Sequence, residues 1–370
     1  MNQTKLSEDE LRDWIRLART PNIGPVTFDQ LLTRFGSPAK ALDALPELAK
    51  KAGRKKPLIA PPEHEVQGEL DATHAYGARI VASCEPDYPQ LLRVIGAPPP
   101  VLTMLGRIEL TAKPSVAIVG ARNASAAGRK IAREMAAELA QSGYTIVSGL
   151  ALGIDGEAHA ATLESGTIAV LGGGIDHVYP RQHERLYAEI AAKGLIIAEP
   201  HFSYRASARD FPRRNRIVTG LSRGVVVVEA AERSGSLISA RVAGEQGREV
   251  MAVPGSPLDP RASGTNNLIR QGAALVRNAN DILDVLETLS PLGLESGRPS
   301  DWLYEEVEPD IPQSQIEQVR EALSLHPMPI DELARSAGIG AHRCAAILME
   351  LEILGDAQTF SGGLACRTIE

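Results

Sequence analysis

Cysteine is scarce in this chain: its 370 residues include three, Cys84, Cys344 and Cys366, with no C-x-x-C spacing among them. Neither a disulfide framework nor a thiolate zinc site can be built from that set. Long apolar runs are missing too. No stretch reaches the about 18 consecutive apolar residues needed to cross a bilayer. The first charged residues (Lys5, Glu8, Asp9, Glu10, Arg12, Asp13) are of mixed sign where a signal peptide is apolar. No membrane association and a cytoplasmic location are expected. Positive charge is also in deficit, with a net of -7, so any nucleic-acid site must be a local basic patch in an acidic whole.

Several catalytic and cofactor signatures are absent. There is no G-x-x-x-x-G-K-[ST], no G-x-S-x-G and no H-E-x-x-H, which removes P-loop hydrolysis, the nucleophile elbow and the helical zinc site. Gly120-Ala121-Arg122-Asn123-Ala124-Ser125 follows the first clear strand, but the next glycine is Gly128 and no acid ends the second strand. The dinucleotide fingerprint therefore fails. Gly172-Gly173-Gly174 lies at a strand end and reads as a tight turn, a weak sign of a phosphate cradle. Asp155 and His159, four apart, could pair as acid and base; the simpler reading makes Asp155 the cap of a helix starting near Gly156 and His159 a packing residue. No cofactor, metal or catalytic residue is expected.

What is present is a soluble globular composition, 44% apolar and 23% charged. At about 100–200 residues per domain the length suggests two or three domains. Residues 1–62 show apolar positions at helical spacing (Leu11, Trp14, Ile15, then Phe28, Leu31, Leu32) around a break at Pro21-Asn22-Ile23-Gly24-Pro25. This predicts a small helical module whose turn is either a helix-hairpin-helix able to hold a phosphate or an ordinary Gly-Pro turn. A basic run from Lys50 to Lys56 and a Pro-rich stretch follow it.

Residues 63–290 form a second region. From about 115 they alternate apolar runs (116–119, 145–148, 167–171, 195–198, 225–229, 249–253, 274–276) with amphipathic helices such as 128–141 and 237–246. Runs of this kind predict an α/β, doubly wound, Rossmann-like and mostly parallel sheet buried on both faces. Residues 65–114 are expected to wrap its edge. An acidic linker over 291–312 then leads to 313–370, where helix, turn, helix and a Gly-rich hairpin predict a winged helix-turn-helix.

The strongest electrostatic signal lies in 204–223. Arg205, Arg209, Arg213, Arg214, Arg216 and Arg223 face one acid, Asp210, a local charge of +5. Guanidinium groups suit phosphate oxygens and base faces. Phe202, Tyr204 and Phe211 are interleaved with them in a chain that is only 4% aromatic. Aromatics beside arginines suit single-stranded nucleic acid, whose bases are free to stack, better than duplex.

These motifs resemble those of the DprA/Smf family of DNA-processing proteins. The resemblance runs through Asp87-Tyr88-Pro89, Val119-Gly120-Ala121-Arg122, Ser148-Gly149-Leu150-Ala151-Leu152-Gly153-Ile154-Asp155, Tyr179-Pro180, Phe211-Pro212-Arg213-Arg214-Asn215-Arg216, Ser234-Gly235-Ser236-Leu237, Val253-Pro254-Gly255 and Gly264-Thr265-Asn266. It implies an N-terminal SAM-like helical domain and a C-terminal winged helix around the sheet. It also implies a non-enzymatic homodimer that binds and protects single-stranded DNA and loads the RecA recombinase during natural transformation. The family's Gly-Ser-Arg motif falls on Gly120-Ala121-Arg122, so Ala121 departs from it, and His183 stands where an Asn usually follows Tyr-Pro. The implied DNA-binding residues are Gly120, Arg122, Ser148, Gly149, Phe211, Arg213, Arg214, Asn215, Arg216, Gly235, Ser236, Gly264, Thr265 and Asn266.

Two other functions are open to this sequence. A nucleotide-processing hydrolase on a related sheet carries P-G-G-x-G-T followed closely by Glu; Val253-Pro254-Gly255 and Gly264-Thr265 echo that loop, but Asn266, Asn267 and Leu268 follow, leaving no acid/base group. A winged-helix transcription regulator would read duplex DNA. Residues 313–370, however, hold four arginines against eight acids, with little beyond His342 and Arg343 to offer phosphate on the expected recognition helix.

Overall fold

A computed structural model of the chain describes residues 5–51, 58–288, 311–360 and 363–368. Most of the expected linker and of the Lys50–Lys56 run lies outside the described residues. Two compact units emerge: 1–68 with 96–101 and 296–370, and 69–95 with 102–295. The segments expected as separate N- and C-terminal domains thus share one unit.

The N-terminal part holds α1 (Glu8–Arg19), α2 (Pro25–Phe35) and α3 (Pro38–Lys51). A capping box starts α1: Ser7 Oγ accepts from the Glu10 N–H while a Glu10 carboxylate oxygen accepts from the Ser7 N–H. Gly36, at φ 76°, closes α2 in a left-handed conformation. Trp14 and Phe28 pack at 5.3 Å between ring centroids, and the Trp14 indole N–H donates to the Pro100 carbonyl at 2.8 Å.

In the second unit the helices are α4 (Glu63–Ala75, which begins before the unit boundary), α5 (Gln90–Arg93), α6 (Ala126–Gln141), α7 (Ile154–Ala161), α8 (Glu184–Lys193), α9 (Asp210–Gly220), α10 (Gly235–Glu245), α11 (Ser263–Arg270) and α12 (Ala279–Thr288). The strands are β1 (Arg79–Ala82), β2 (Val101–Gly106), β3 (Ser115–Val119), β4 (Thr145–Ser148), β5 (Thr167–Leu171), β6 (Leu195–Ala198), β7 (Gly224–Val227), β8 (Glu249–Ala252) and β9 (Ala274–Leu275). They form one sheet in the order β1-β2-β6-β5-β4-β3-β7-β8-β9. All pairs from β6 to β9 are parallel, and β2 runs antiparallel to β6.

The seven expected runs are β3–β9, shifted by one or two residues at some ends. The strands β1 and β2 correct the expectation that 65–114 merely wraps the edge. Both are short, and β2 starts directly after Pro98–Pro100, a stretch that reads as a break; the prolines precede the strand and so take no donor from its ladder.

Burial on both faces follows from strand alternation. In β3, Ala117 and Val119 enter one apolar cluster and Val116 and Ile118 the other; in β7, Val225 and Val227 oppose Val226, and Val228 just past it, in the same way. From β3 the chain steps outward through β4, β5 and β6, then returns to β7 on the other side of β3. The crevice between the loops after β3 and β7 is therefore the topological switch point, where open sheets of this kind take ligands.

The C-terminal part holds α13 (Gln313–Ala322), α14 (Ile330–Ala337) and α15 (Ala341–Leu354), with a small sheet β10-β12-β11 of Met328–Pro329, Leu364–Arg367 and Ala357–Phe360. This is the expected winged helix, with Ile316, Val319, Leu333, Ile347 and Leu351 in its core. Within the first unit α15 packs against α2 and α3. Glu352 of α15 is buried; its carboxylate accepts from Thr27 Oγ1 of α2 and from Thr359 Oγ1 (2.8 Å), and lies beside Gly24, the residue that starts α2. The helix start that a helix-hairpin-helix would offer to a phosphate thus already faces a carboxylate of the same chain.

Candidate nucleic-acid interface

The loop after β3 carries Arg122, whose side chain is exposed. Close packing sets the path of this loop: a Cβ on Gly120 would lie 2.6 Å from Ile154 Cγ1, and one on Gly153 would lie 2.3 Å from the Ala121 carbonyl oxygen. Gly153 also has φ 80°, so glycine is required there on two counts. Ser125 caps α6 by accepting from the Gly128 N–H at 2.9 Å. Glu229, just past β7, in turn accepts from the Ser125 N–H (2.9 Å) and from Ser125 Oγ (2.5 Å).

The loop after β4 is held by a buried carboxylate with the Arg214 cation in its field. Asp155 accepts from the N–H groups of Gly149 (3.1 Å) and Ala151 (3.3 Å). It does not cap its own helix, which starts one residue earlier at Ile154; it secures the preceding turn instead. Arg214 lies flat against Gly149, where any Cβ would fall 1.5 Å from its Nη1. Burial raises the Asp155 carboxyl above the ordinary carboxylate range, opposed by Arg214 and the two N–H groups. Burial likewise brings Arg214 down to about 10, opposed by Asp155 and reinforced by Arg122, so it stays charged at neutral pH. Arg214 is 8% exposed, and its Nε finds no hydrogen-bond partner.

Leu150, in the same loop, adopts φ 56°, a strained conformation for a non-glycine residue. Its carbonyl accepts from His183 Nδ1 at 3.0 Å. The residue that departs from the family pattern therefore ties the loop after β5 to the loop after β4. His159 has no exposed surface, and its Nδ1 is 2.8 Å from Thr167 Oγ1. Burial, helped by His183 and Arg214, pushes it down to about 3. It is a packing residue, neutral at physiological pH.

Phe211 in the first turn of α9 joins these loops. Its ring is 5.5 Å from the Arg122 guanidinium and 5.2 Å from the Tyr179 ring, in reach of cation–π and aromatic contact. Tyr179 is 48% exposed. Gly172, at the end of β5, passes beneath the Phe211 ring, where a Cβ would be 3.3 Å away. Gly174 donates to the Tyr204 carbonyl, and Ser203 to Asp176. The 201–206 loop thus covers the triple glycine, which is a tight turn without space for a phosphate.

The arginines of 204–223 divide by position. Arg205 and Arg209 are exposed between β6 and α9, and Arg213 is exposed in the first turn of α9. Arg216 is paired with Glu199, in the neighbourhood of buried Tyr88. Arg223 donates its N–H to the Ser115 carbonyl at the start of β3, the opposite edge of the sheet. Hence the charge that faces outward at the carboxyl edge comes from Arg122, Arg205, Arg209 and Arg213, with Arg214 beneath.

Burial divides the expected contact residues into inner and outer ones. Ser148 and Thr265 have no exposed surface, and their hydroxyls donate to the Ile118 and Ala262 carbonyls. Gly149 lies under Arg214, Arg214 under the surface, and Arg216 in its ion pair. Gly264 donates to the Ala230 carbonyl, on which its Cβ would intrude at 2.7 Å. Asn266 uses both ends of its amide on Gly255, at 2.9 and 3.1 Å. Ser236 is buried with its hydroxyl on Ser234, while Gly235 at the start of α10 faces open space. These residues shape the frame. Exposed Arg122 and Arg213, with half-buried Phe211 and Asn215, keep surface for a ligand. Sequence reasoning left Tyr179 and Glu229 out of the site; the first was visible as an aromatic beside the Pro180 turn, the second as an acid ending an apolar strand.

This combination defines a sheet-edge site of cations and aromatics on a Rossmann-like frame flanked by a helical module and a winged helix. Residues 79–287 match the DNA recombination-mediator protein A family, 8–72 its DprA-like N-terminal HHH domain and 305–363 the DprA winged helix domain. The chain belongs to the DNA recombination-mediator protein A (DprA/Smf) family. It is 32% identical to Protein Smf of Synechocystis, over 95% of this chain and 97% of that protein. The crystal structure of DNA processing protein A from Streptococcus pneumoniae aligns with a TM-score of 0.63 at 33% identity, covering 76% of this chain and 98% of that one. DNA processing protein A from Helicobacter pylori, described in its single-stranded DNA binding mode, aligns at 0.53 and 30% identity over 57% of this chain and 96% of its own.

Proposed function

We propose that this chain binds single-stranded DNA along the carboxyl edge of β3–β6. In this reading it protects the strand and loads a RecA recombinase onto it during DNA uptake and recombination, as a cytoplasmic, non-catalytic homodimer. One observation carries the binding: Arg122 and Tyr179 flank Phe211 at the surface, with the buried cation Arg214 close beneath. An aromatic face offers stacking of about 1–3 kcal/mol per base regardless of sequence, and the exposed arginines neutralise backbone phosphates. The related Helicobacter pylori protein binds single-stranded DNA, which supports the same ligand here. The recombinase and dimer assignments rest on family membership.

The hydrolase reading gains no support, since Thr265 is buried and Asn266 is committed to Gly255. Duplex reading by the winged helix is disfavoured by the packing of α15 on α2 and α3. The test is competition binding among single-stranded DNA, duplex and nucleotides across a salt series. Preference for single strands with a log–log slope of about -2 to -4, from about three to five phosphate contacts, is expected. Equal affinity for duplex at matched salt would defeat the stacking argument.

A further inference from the structure

We propose that Glu229 is a built-in anion that takes the phosphate seat of the sheet's switch point, and so positions the Arg122 loop for DNA. The start of α6 follows the first parallel strand, the position where a nucleotide-binding sheet of this class holds a phosphate on free helix N–H groups. Here the Glu229 carboxylate stands there, accepting from the Ser125 N–H at 2.9 Å and from Ser125 Oγ at 2.5 Å. Gly128, in the first turn of α6, is shaped to the same group: a Cβ there would lie 2.5–2.8 Å from the three carboxyl atoms of Glu229. Carboxylate, hydroxyl, helix start and glycine thus form one fitted assembly with no room for a bound phosphate.

Two consequences follow. A mononucleotide has no seat at the switch point, so ligand is directed to the neighbouring loops after β3–β6. In addition, Ser125 lies three residues after Arg122 and is tied to the end of β7 through Glu229, which fixes the loop from which Arg122 reaches Phe211. Glu229 is then a positioning residue, without direct contact to DNA.

The second consequence rests on the single-strand reading, and its sign is diagnostic. By charge alone, removing an acid from a DNA site tightens binding; removing a positioning residue weakens it. With labelled oligothymidylate at fixed salt, Glu229→Gln is expected to bind about tenfold more weakly, because a charge-assisted hydrogen-bond pair is lost. Its salt slope should stay unchanged, since no phosphate contact is removed. Glu229→Gln added to Arg122→Ala should cost little beyond Arg122→Ala alone. Ser125→Ala, the gentler change, should weaken binding about threefold and keeps the test available if the Glu229 variants do not fold. Binding as tight as wild type or tighter in folded Glu229→Gln, or additive losses in the double variant, would overturn the positioning role.

The seat itself is tested without DNA. Inorganic phosphate is expected to raise the melting temperature of Glu229→Ala and leave that of wild type unchanged. If a folded Glu229→Ala does not respond, the seat is refuted. If the wild-type chain fails to bind oligothymidylate at all, the single-strand reading falls while the phosphate measurement still decides the seat.

Discussion

The two halves of one sheet edge differ in how their polar groups are spent. Over β7–β9 the loops are satisfied: Asn266 with Gly255, Asp259 with Arg261, Ala230 with Arg261 and Gly264, and Glu229 across to Ser125 in the loop after β3. Over β3–β6 the inner groups are equally committed, with Asp155 holding Gly149 and Ala151 and His183 holding Leu150, yet an outer layer of Arg122, Phe211, Tyr179 and Arg213 keeps surface. Both halves carry family motifs and lie on the same scaffold. The difference teaches that a motif residue at a sheet edge is as often a brace as a contact, and that exposure sorts the two.

Four measurements break or sharpen that contrast. The largest effect is expected from Arg214→Ala, which removes the cation whose field offsets the burial of Asp155; a loss of about 3 kcal/mol in denaturant-measured stability is expected. A stable Arg214→Ala protein with weakened DNA binding would instead make Arg214 a direct contact. Arg122→Ala should cost about 1–3 kcal/mol of single-strand binding and flatten the salt slope by about 0.7 while leaving the melting temperature unchanged, with Arg122→Lys intermediate. Wild-type affinity in that variant would move the site away from this half.

The buried His159 gives a smaller, pH-linked effect. Its folded value, about 3, lies below the ordinary 6.5, so the unfolded chain takes up the proton first. Stability is full above about pH 6.5 and falls as pH drops toward 3. Between pH 7 and pH 5 this one residue should remove about 2 kcal/mol, and His159→Leu should show that much less acid sensitivity in urea titrations at the two pH values. The smallest effect belongs to the closed half. Asn266→Ala removes two hydrogen bonds near the surface for about 1 kcal/mol of stability, with single-strand affinity held within about twofold; a tenfold loss of affinity would erase the contrast between the halves.

The parallel sheet was legible in the sequence because strands buried on both faces must be mainly apolar, and β3–β9 are, with Ser, Thr and Glu confined to strand ends. The winged helix was legible from its periodicity and its glycine turns. Residues 79–82 and 101–106 were not, since four to six residues, the second run directly after prolines, carry too little pattern to separate strand from loop. At the site, charge counting found the arginine cluster but could not sort it. Whether an arginine is exposed like Arg213, buried like Arg214 or paired like Arg216 depends on the helical phase of α9 and on Glu199, which lies outside the segment. Arg122 and Phe211, far apart in sequence, each follow a strand of the same parallel set and so come to one edge. That Tyr179 packs against Phe211, and that Glu229 bonds Ser125, depends on side-chain packing across loops that no local pattern encodes.

The bond from Thr27 to Glu352 joins residues 325 positions apart. During synthesis at about 5–20 residues per second, roughly 16–65 s pass between the emergence of one partner and the other. The sheet unit ends at residue 295, so it can close while the first helices still wait for α15. A ribosome that stalls or terminates in the last stretch therefore releases a chain whose sheet is finished and whose opening helices lack their cover. The part of this protein made first is the part completed last.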